Sequence, residues 1–285
     1  MLRPCQTIAA AAAAAIGIYA GSASADVTDT RELTESLAVP ASEPLVVIVK
    51  NVFGSIAVTA HDADRVEMRA TETVHGDLQA DIERARAEVG LRTEQEPGRV
   101  AFRVRNLNTD GSDCDCYGQR WDNYRVEYDI EIRVPRGATL DLATVNDGDI
   151  TTDGVTGGFT VRNVNGAIRL GAAGGSGSVT TVNGKIEASF ATAPGEPTSF
   201  KTVNGEIDVT LPNTLSADLA FRTMNGDVFT DFAVEELNQT PVAQRNGGRF
   251  FARTNRNSAF RVGTGGDPLT FNTLNGNIYV RKAPQ

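Results

Sequence analysis

Thr181-Val182-Asn183-Gly184-Lys185-Ile186 returns 21 residues later as Thr202-Val203-Asn204-Gly205-Glu206-Ile207. The phrase stands earlier as Val164-Asn165-Gly166-Ala167-Ile168. It stands later as Met224-Asn225-Gly226-Asp227-Val228 and Leu274-Asn275-Gly276-Asn277-Ile278. A variant with one extra residue, Val145-Asn146-Asp147-Gly148-Asp149-Ile150, opens the series. Successive repeat glycines lie 18, 18, 21, 21 and 50 residues apart, the last step covering an insertion at 231–268. A fixed period of this kind is the signature of a stacked or arrayed architecture.

Each copy also repeats its side chains. Four residues before the Asn stand Leu142, Val161, Val179, Phe200, Phe221 and Phe271, and two before it stand Thr144, Asn163, Thr181, Thr202, Thr223 and Thr273. Apolar residues before and after the Asn-Gly pair alternate with polar ones, the period of a strand with one buried face. Asn-Gly tolerates positive φ, which a tight turn between strands is expected to demand. Two geometries use such a signal: a meander of hairpins, and a solenoid whose coils stack. Like residues at like positions in every copy favour an all-β, single-stranded β-solenoid of about 20 residues per coil. A hairpin meander or β-sandwich is the alternative.

Val47 to Val58 keeps the repeat spacing with Phe53 in the Asn place and reads as a degenerate first copy. A short strand is expected around Leu33 to Val39, and further strands at Val66–Val74, Leu91–Thr93, Arg99–Val104 and Tyr124–Val134. One short helix is expected over Asp77–Val89, where Ile82, Ala85 and Val89 share a face. A polar loop from Asn106 to Asn123 carries Cys114, Cys116, Tyr117 and Trp121.

Arg3, the Ala-rich stretch Ile8 to Tyr19 and Ala23-Ser24-Ala25 have the layout of a secretory signal peptide over residues 1–25. The stretch is too short for a membrane span, and Cys5 precedes it, which argues against lipidation. The expected division is signal 1–25, an N-terminal β-rich segment 26–136 with the helix and the Cys loop, and the repeat solenoid 137–285. No transmembrane anchor remains after cleavage. The location implied is periplasmic, cell-surface or secreted.

The chain has 27 basic and 36 acidic residues, and without Arg3 the net charge is −10. An acidic surface repels phosphate backbones, so nucleic acid is a poor partner. Cys114 and Cys116 remain after processing, and a disulfide is possible under oxidising conditions. Paired together they would close a tight ring.

The phrase Thr-Val-Asn-Gly-x-Ile, after the lead-in Ile132-Arg133-Val134-Pro135-Arg136-Gly137-Ala138-Thr139-Leu140, resembles the bacterial β-strand-repeat adhesin-like family of the LiaG-like kind. The resemblance is strongest from about 125 to 282. It implies an all-β repeat domain on an exported or surface protein, and it brings no activity and no catalytic residues.

The repeats carry several candidate groups for chemistry. Glu206 with Asp227, and Glu187 with Asp208, are expected to neighbour one another on stacked coils, and paired carboxylates serve glycoside hydrolysis. Both positions point outward, where charge is the default. Asp147, Asp149 and Asp153 with Gly148 and Gly154 form a candidate calcium loop without the EF-hand pattern. His61 and His75, the two histidines, assemble no Ser/His/Asp triad. Gly171 to Gly177 is Gly-rich without the Lys-Ser/Thr of a phosphate loop. Tyr117, Trp121, Tyr124, Phe250 and Phe251 could form an aromatic platform or pack at a solenoid end.

These readings point to an exported, non-enzymatic repeat protein without cofactor. It offers an extended surface for adhesion or scaffolding in the cell envelope, with a glycan or protein partner. A polysaccharide-processing β-helix enzyme and a purely structural envelope protein are the alternatives.

Overall fold

The computed structural model describes residues 27–40, 44–107, 123–237 and 258–284. The expected signal segment, the Cys114/Cys116 pair, Tyr117, Trp121, Phe250 and Phe251 lie outside them. The chain opens with strands β1 (Val27–Ala38), β2 (Val46–Lys50), β3 (Ile56–His61) and β4 (Arg65–Gly76). Helix α1 (Gln79–Glu88) follows, then β5 (Val89–Glu96), β6 (Arg99–Asn106) and β7 (Tyr124–Pro135). The regular repeats supply β8 (Thr139–Ala143), β9 (Ile150–Asp153), β10 (Phe159–Arg162), β11 (Ile168–Ala173), β12 (Gly177–Thr180), β13 (Ile186–Phe190), β14 (Thr198–Lys201) and β15 (Ile207–Leu211). The last stretch holds β16 (Ala217–Asn225), β17 (Val228–Thr230), β18 (Val234–Glu236), β19 (Ser258–Val262), β20 (Pro268–Asn275) and β21 (Ile278–Lys282).

Two sheets face one another. The first runs β1-β4-β7-β3-β9-β11-β13-β15-β21-β17, and the second runs β18-β19-β16-β20-β14-β12-β10-β8-β2-β6-β5. Each coil lays one strand in the second sheet, turns at Asn-Gly and lays the next in the first sheet. Neighbouring coils pair in parallel and in register, as in Phe159–Gly177 and Ile168–Ile186. The solenoid therefore holds, and the meander does not: a hairpin would make the strands flanking each Asn-Gly partners, whereas they lie in opposite sheets.

Register turns the repeat columns into core rows. In the first sheet Ile130, Ile56, Ile150, Ile168, Ile186, Ile207 and Ile278 stack one above another, all buried. Opposite them run Val49, Leu142, Val161, Val179, Phe200, Phe271 and Phe221. Phe200 and Phe271 stack at 5.3 Å between centroids, and Phe271 and Phe221 at 5.1 Å. Burying each such side chain stabilises by about 1.5–3 kcal/mol relative to exposure.

The order of coils in space is not their order in sequence. β20 lies between β14 and β16, and β21 lies between β15 and β17. The last coil is thus inserted beneath the one that precedes it. At the other end β6 pairs with β2 and β7 with β3, both in parallel. The chain passes from β6 to β7 in the same sense as from β2 to β3, so these two strands form a further coil that lacks the Asn-Gly phrase. Antiparallel strands finish both ends: β4 and β1 beyond β7, β5 beyond β6, and β19 and β18 beyond β16. Helix α1 packs against β1, β4 and β7 of the first sheet and β5 of the second, burying Ile82 and Ala85.

β1 is twelve residues long, against the short strand expected near Leu33. Its alternate residues Asp29, Arg31 and Glu35 face inward, and charge there reads as loop until its partners are seen. Arg31 meets buried Glu72, Asp29 meets Arg86, and Glu35 accepts a hydrogen bond from Thr93 at 2.5 Å.

Candidate functional site

The Asn-Gly corner is the most regular exposed feature. The amide of Asn165 donates to Asn146 Oδ1 at 2.8 Å, Asn183 to Asn165 at 2.8 Å, and Asn204 to Asn183 at 2.8 Å. Asn275 donates to Asn204 and Asn225 to Asn275, each at 2.7 Å. The column two residues before works inside the corner. The hydroxyls of Thr144, Thr181, Thr202, Thr273 and Thr223 donate to the carbonyls of Gly54, Gly166, Gly184, Gly205 and Gly276 at 3.0–3.2 Å. Asn163 does the same to Gly148 at 2.9 Å. The donors of this column are thereby satisfied between coils rather than within them.

At most of these corners the glycine is required for a reason other than the one expected; the expected positive φ occurs at Gly276 (154°) and, in the opening copy, at Asp147 (57°). Gly166, Gly184, Gly205 and Gly226 do not adopt the left-handed conformation. A Cβ at Gly184 would stand 1.9 Å from the Gly166 carbonyl oxygen, and one at Gly205 would stand 1.9 Å from that of Gly184. Stacked backbones come too close at the corner for any side chain. The Gly-rich run 171–177 serves the opposite corner likewise: a Cβ at Gly175 or Gly177 would strike the carbonyl of Gly157 or Phe159.

Beside the corner, on the outer face of the first sheet, lie the carboxylates. Glu187 and Asp208 are register partners. Glu206 and Asp227 are not neighbours: the inserted coil places Asn277 between them, with Ile207 N–H bonded to Asn277 O and Ile278 N–H to Asp227 O. The face carries a chain of alternating charge. Arg169 pairs with Asp149 at 2.7 Å and with Glu187 at 3.0 Å. Lys185 pairs with Glu187 at 2.7 Å and Glu206 at 3.1 Å, and Arg281 pairs with Asp208 at 2.9 Å. The hydrogen bonds and charges of Lys185 and Arg169 hold the Glu187 carboxyl below the usual carboxylate range. A glycosidic general acid needs the reverse, a carboxyl held protonated.

The calcium candidates are engaged separately. Asp147 pairs with Arg125 at 2.8 Å, and Asp149 with Arg169 while also accepting from Ala167 N–H at 2.8 Å. Asp153 lies against Gly171. No group of three or more acidic, His or Cys residues placed to hold a metal occurs among the described residues. His61 ends β3 and accepts from Ala63 N–H at 3.0 Å, and His75 meets Thr28 at 3.1 Å. Tyr124 is buried, donates to Glu88 and carries Arg84 over its ring at 5.2 Å.

One polar cluster has no sequence signal. Glu72 is fully buried, accepting from Arg31 at 2.8 Å, Tyr128 at 2.5 Å and Arg86 at 3.2 Å. Burial and the Glu72 carboxylate push the Tyr128 hydroxyl pKa up. The cluster ties β1, β4, β7 and α1 together, and its oxygens are occupied.

A family profile described as Toastrack DUF4097 matches residues 49–249, well over half of the chain. The chain belongs to this family. The Toastrack domain is a β-solenoid-like fold, in keeping with the stacked coils and with the adhesin-like resemblance of the repeats. No curated protein matches the chain. Among solved structures, it is similar to a "putative cell adhesion protein" from Clostridium sporogenes, at 10% identity over 88% of this chain and 99% of that one, TM-score 0.39. It is also similar to a "putative lipid binding protein" from Parabacteroides distasonis, at 10% identity over 89% and 97%, TM-score 0.29. A "putative adhesin" from Bacteroides fragilis matches at 9% identity over 88% and 97%, TM-score 0.29. Among the described residues of this Toastrack protein, no helix is long and apolar enough to cross a membrane.

Proposed function

We propose that this protein is an exported, non-enzymatic Toastrack protein that offers its outer faces for adhesion or scaffolding in the cell envelope, to a glycan or a protein partner. The observation that carries this reading is the charge chain on the first sheet. Its acids and bases neutralise one another along the solenoid, and Glu187 is held ionised, so the face supplies order and area rather than an acid–base pair. The signal-like layout of Arg3, Ile8 to Tyr19 and Ala23-Ser24-Ala25 supports export.

The test is incubation of Asp26–Gln285 with envelope and plant polysaccharides, scoring retention and new reducing ends together, with an envelope pull-down in parallel. Retention or capture without cleavage is expected. New reducing ends would overturn the reading and move the chemistry to Glu187 and Asp208, the one carboxylate pair that register brings together among the described residues.

A further inference from the structure

The outer face of the second sheet differs from that of the first. Taken in spatial order along β2, β8, β10, β12, β14, β20 and β16, one outward row reads Lys50, Ala143, Arg162, Thr180, Lys201, Asn272, Arg222. From β2 to β16 a cation stands on every second strand, and beyond β2 the row continues with Arg103 on β6. Strands lie about 4.8 Å apart, so the cations recur about every 9.6 Å. The alternation exists only because β20 is inserted: in chain order Lys201 would be followed directly by Arg222.

The protein consumes only part of this charge. Asp141 pairs with Lys50 at 2.7 Å and Arg162 at 3.3 Å, and Asp218 is occupied by Arg261 at 2.8 Å and 2.9 Å. Lys201 and Arg222 are exposed and make no ion pair among the described residues. This basic row stands on a chain of net charge −9. It is flanked on one side by the outward hydroxyls of Thr160, Ser178, Ser199 and Thr270, with Asp141 in line with them on β8. On the other side runs a half-exposed to exposed apolar ridge that includes Val182, Val203, Leu274 and Met224.

The geometry points to a binding face for a linear acidic polysaccharide, lying along the solenoid axis, that carries one negative charge per disaccharide. An extended disaccharide has the length of two strand spacings. Its carboxylates meet the cations, its hydroxyls the Ser/Thr column, and its C–H faces the apolar ridge. A nucleic acid fits less well, since its charges are denser and the protein as a whole repels it. The inference rests on the proposed reading of the protein as an envelope-binding surface, and names the face and the ligand class.

The experiment uses hyaluronan oligosaccharides (one carboxylate per disaccharide), polygalacturonate (one per sugar), neutral dextran and single-stranded DNA against Asp26–Gln285. Hyaluronan is expected to bind best and to weaken as salt rises. The Lys201→Glu/Arg222→Glu protein should lose about tenfold or more in affinity at low salt with unchanged melting. Lys201→Gln/Arg222→Gln replaces it if the reversal impairs folding. Thr180→Lys fills a gap in the row and should favour polygalacturonate over hyaluronan. Hyaluronan binding that survives loss of both cations overturns the inference while leaving the wider reading intact. So does equal retention of dextran, or of polygalacturonate or DNA, by the wild type. Retention of no polysaccharide also overturns it, and the envelope pull-down then decides the wider reading separately.

Discussion

The coils from β8 to β15 and the coils at the two ends obey the same stacking chemistry but differ in how the chain reaches them. In the middle, each coil follows its predecessor in sequence and in space. At one end β6 and β7 stack outside β2 and β3, and at the other β20 and β21 slip beneath β16 and β17. Stacking asks that a strand present an apolar residue inward; the Asn-Gly corner reinforces it in the regular coils, and β6–β7 stacks without it. It is indifferent to where that strand comes from. What distinguishes middle from end is whether a coil is clamped on both sides.

The largest effect should come from the inserted coil. Phe271 is buried between Phe200 and Phe221, so Phe271→Ala should cost about 3–5 kcal/mol in chemical denaturation. A loss below about 1 kcal/mol would mean that the coil is not seated there. Next, a Cβ at Gly205 would strike the Gly184 carbonyl in a coil held down by the Gly276 coil, whereas one at Gly226 would strike the Gly276 carbonyl from the last coil of the stack. Gly205→Val should therefore cost about 3 kcal/mol and Gly226→Val nearer 1, since the terminal coil can move outward. Equal losses at both would erase the distinction between clamped and free coils. Gly195, with nothing near its absent Cβ, should accept Ala with little change.

Smaller still, Asn204→Ala removes two bonds of the amide ladder and Asn225→Ala one. Melting should fall by about 1 kcal/mol for the first and about half that for the second. The smallest effect is electrostatic. Glu187 has a depressed folded-state pKa, so its pairing stabilises above the unfolded value and is lost as pH falls through the folded one. Glu187→Gln should cost about 0.2–1 kcal/mol at neutral pH, and the gap to wild type should close in acid. A gap that widens in acid would show that Lys185 and Arg169 are not its partners.

Much of this fold was legible in the sequence. The columns ending in Phe200, Thr202 and Asn204 announced stacked coils, and Tyr124–Val134 announced its strand. Coil order was not legible, because Phe271, Thr273 and Asn275 match Phe221, Thr223 and Asn225 residue for residue. Copies that are alike enough to stack are too alike to be ranked. The error had a chemical consequence: Glu206 and Asp227 looked adjacent until Asn277 came between them. The β6–β7 coil was hidden because it lacks Asn-Gly, and the first half of β1 because Asp29 and Arg31 find their partners far along the chain. The reason for glycine was hidden as well. A collision with Gly184 O is a fact about the neighbouring coil, and a single copy read alone offers only its own backbone torsion.

The inserted coil also sets a problem of timing. Synthesis delivers β16 and β17 before β20 and β21, and folding proceeds from the N-terminus as the chain emerges. When Phe221 appears, the exposed rim of β14 already offers Phe200, and the rightful occupant Phe271 has not been made. The finished molecule therefore requires that place to be kept vacant or given up again, and a chain cut before Pro268 would leave Phe221 and Asn225 as its permanent tenants.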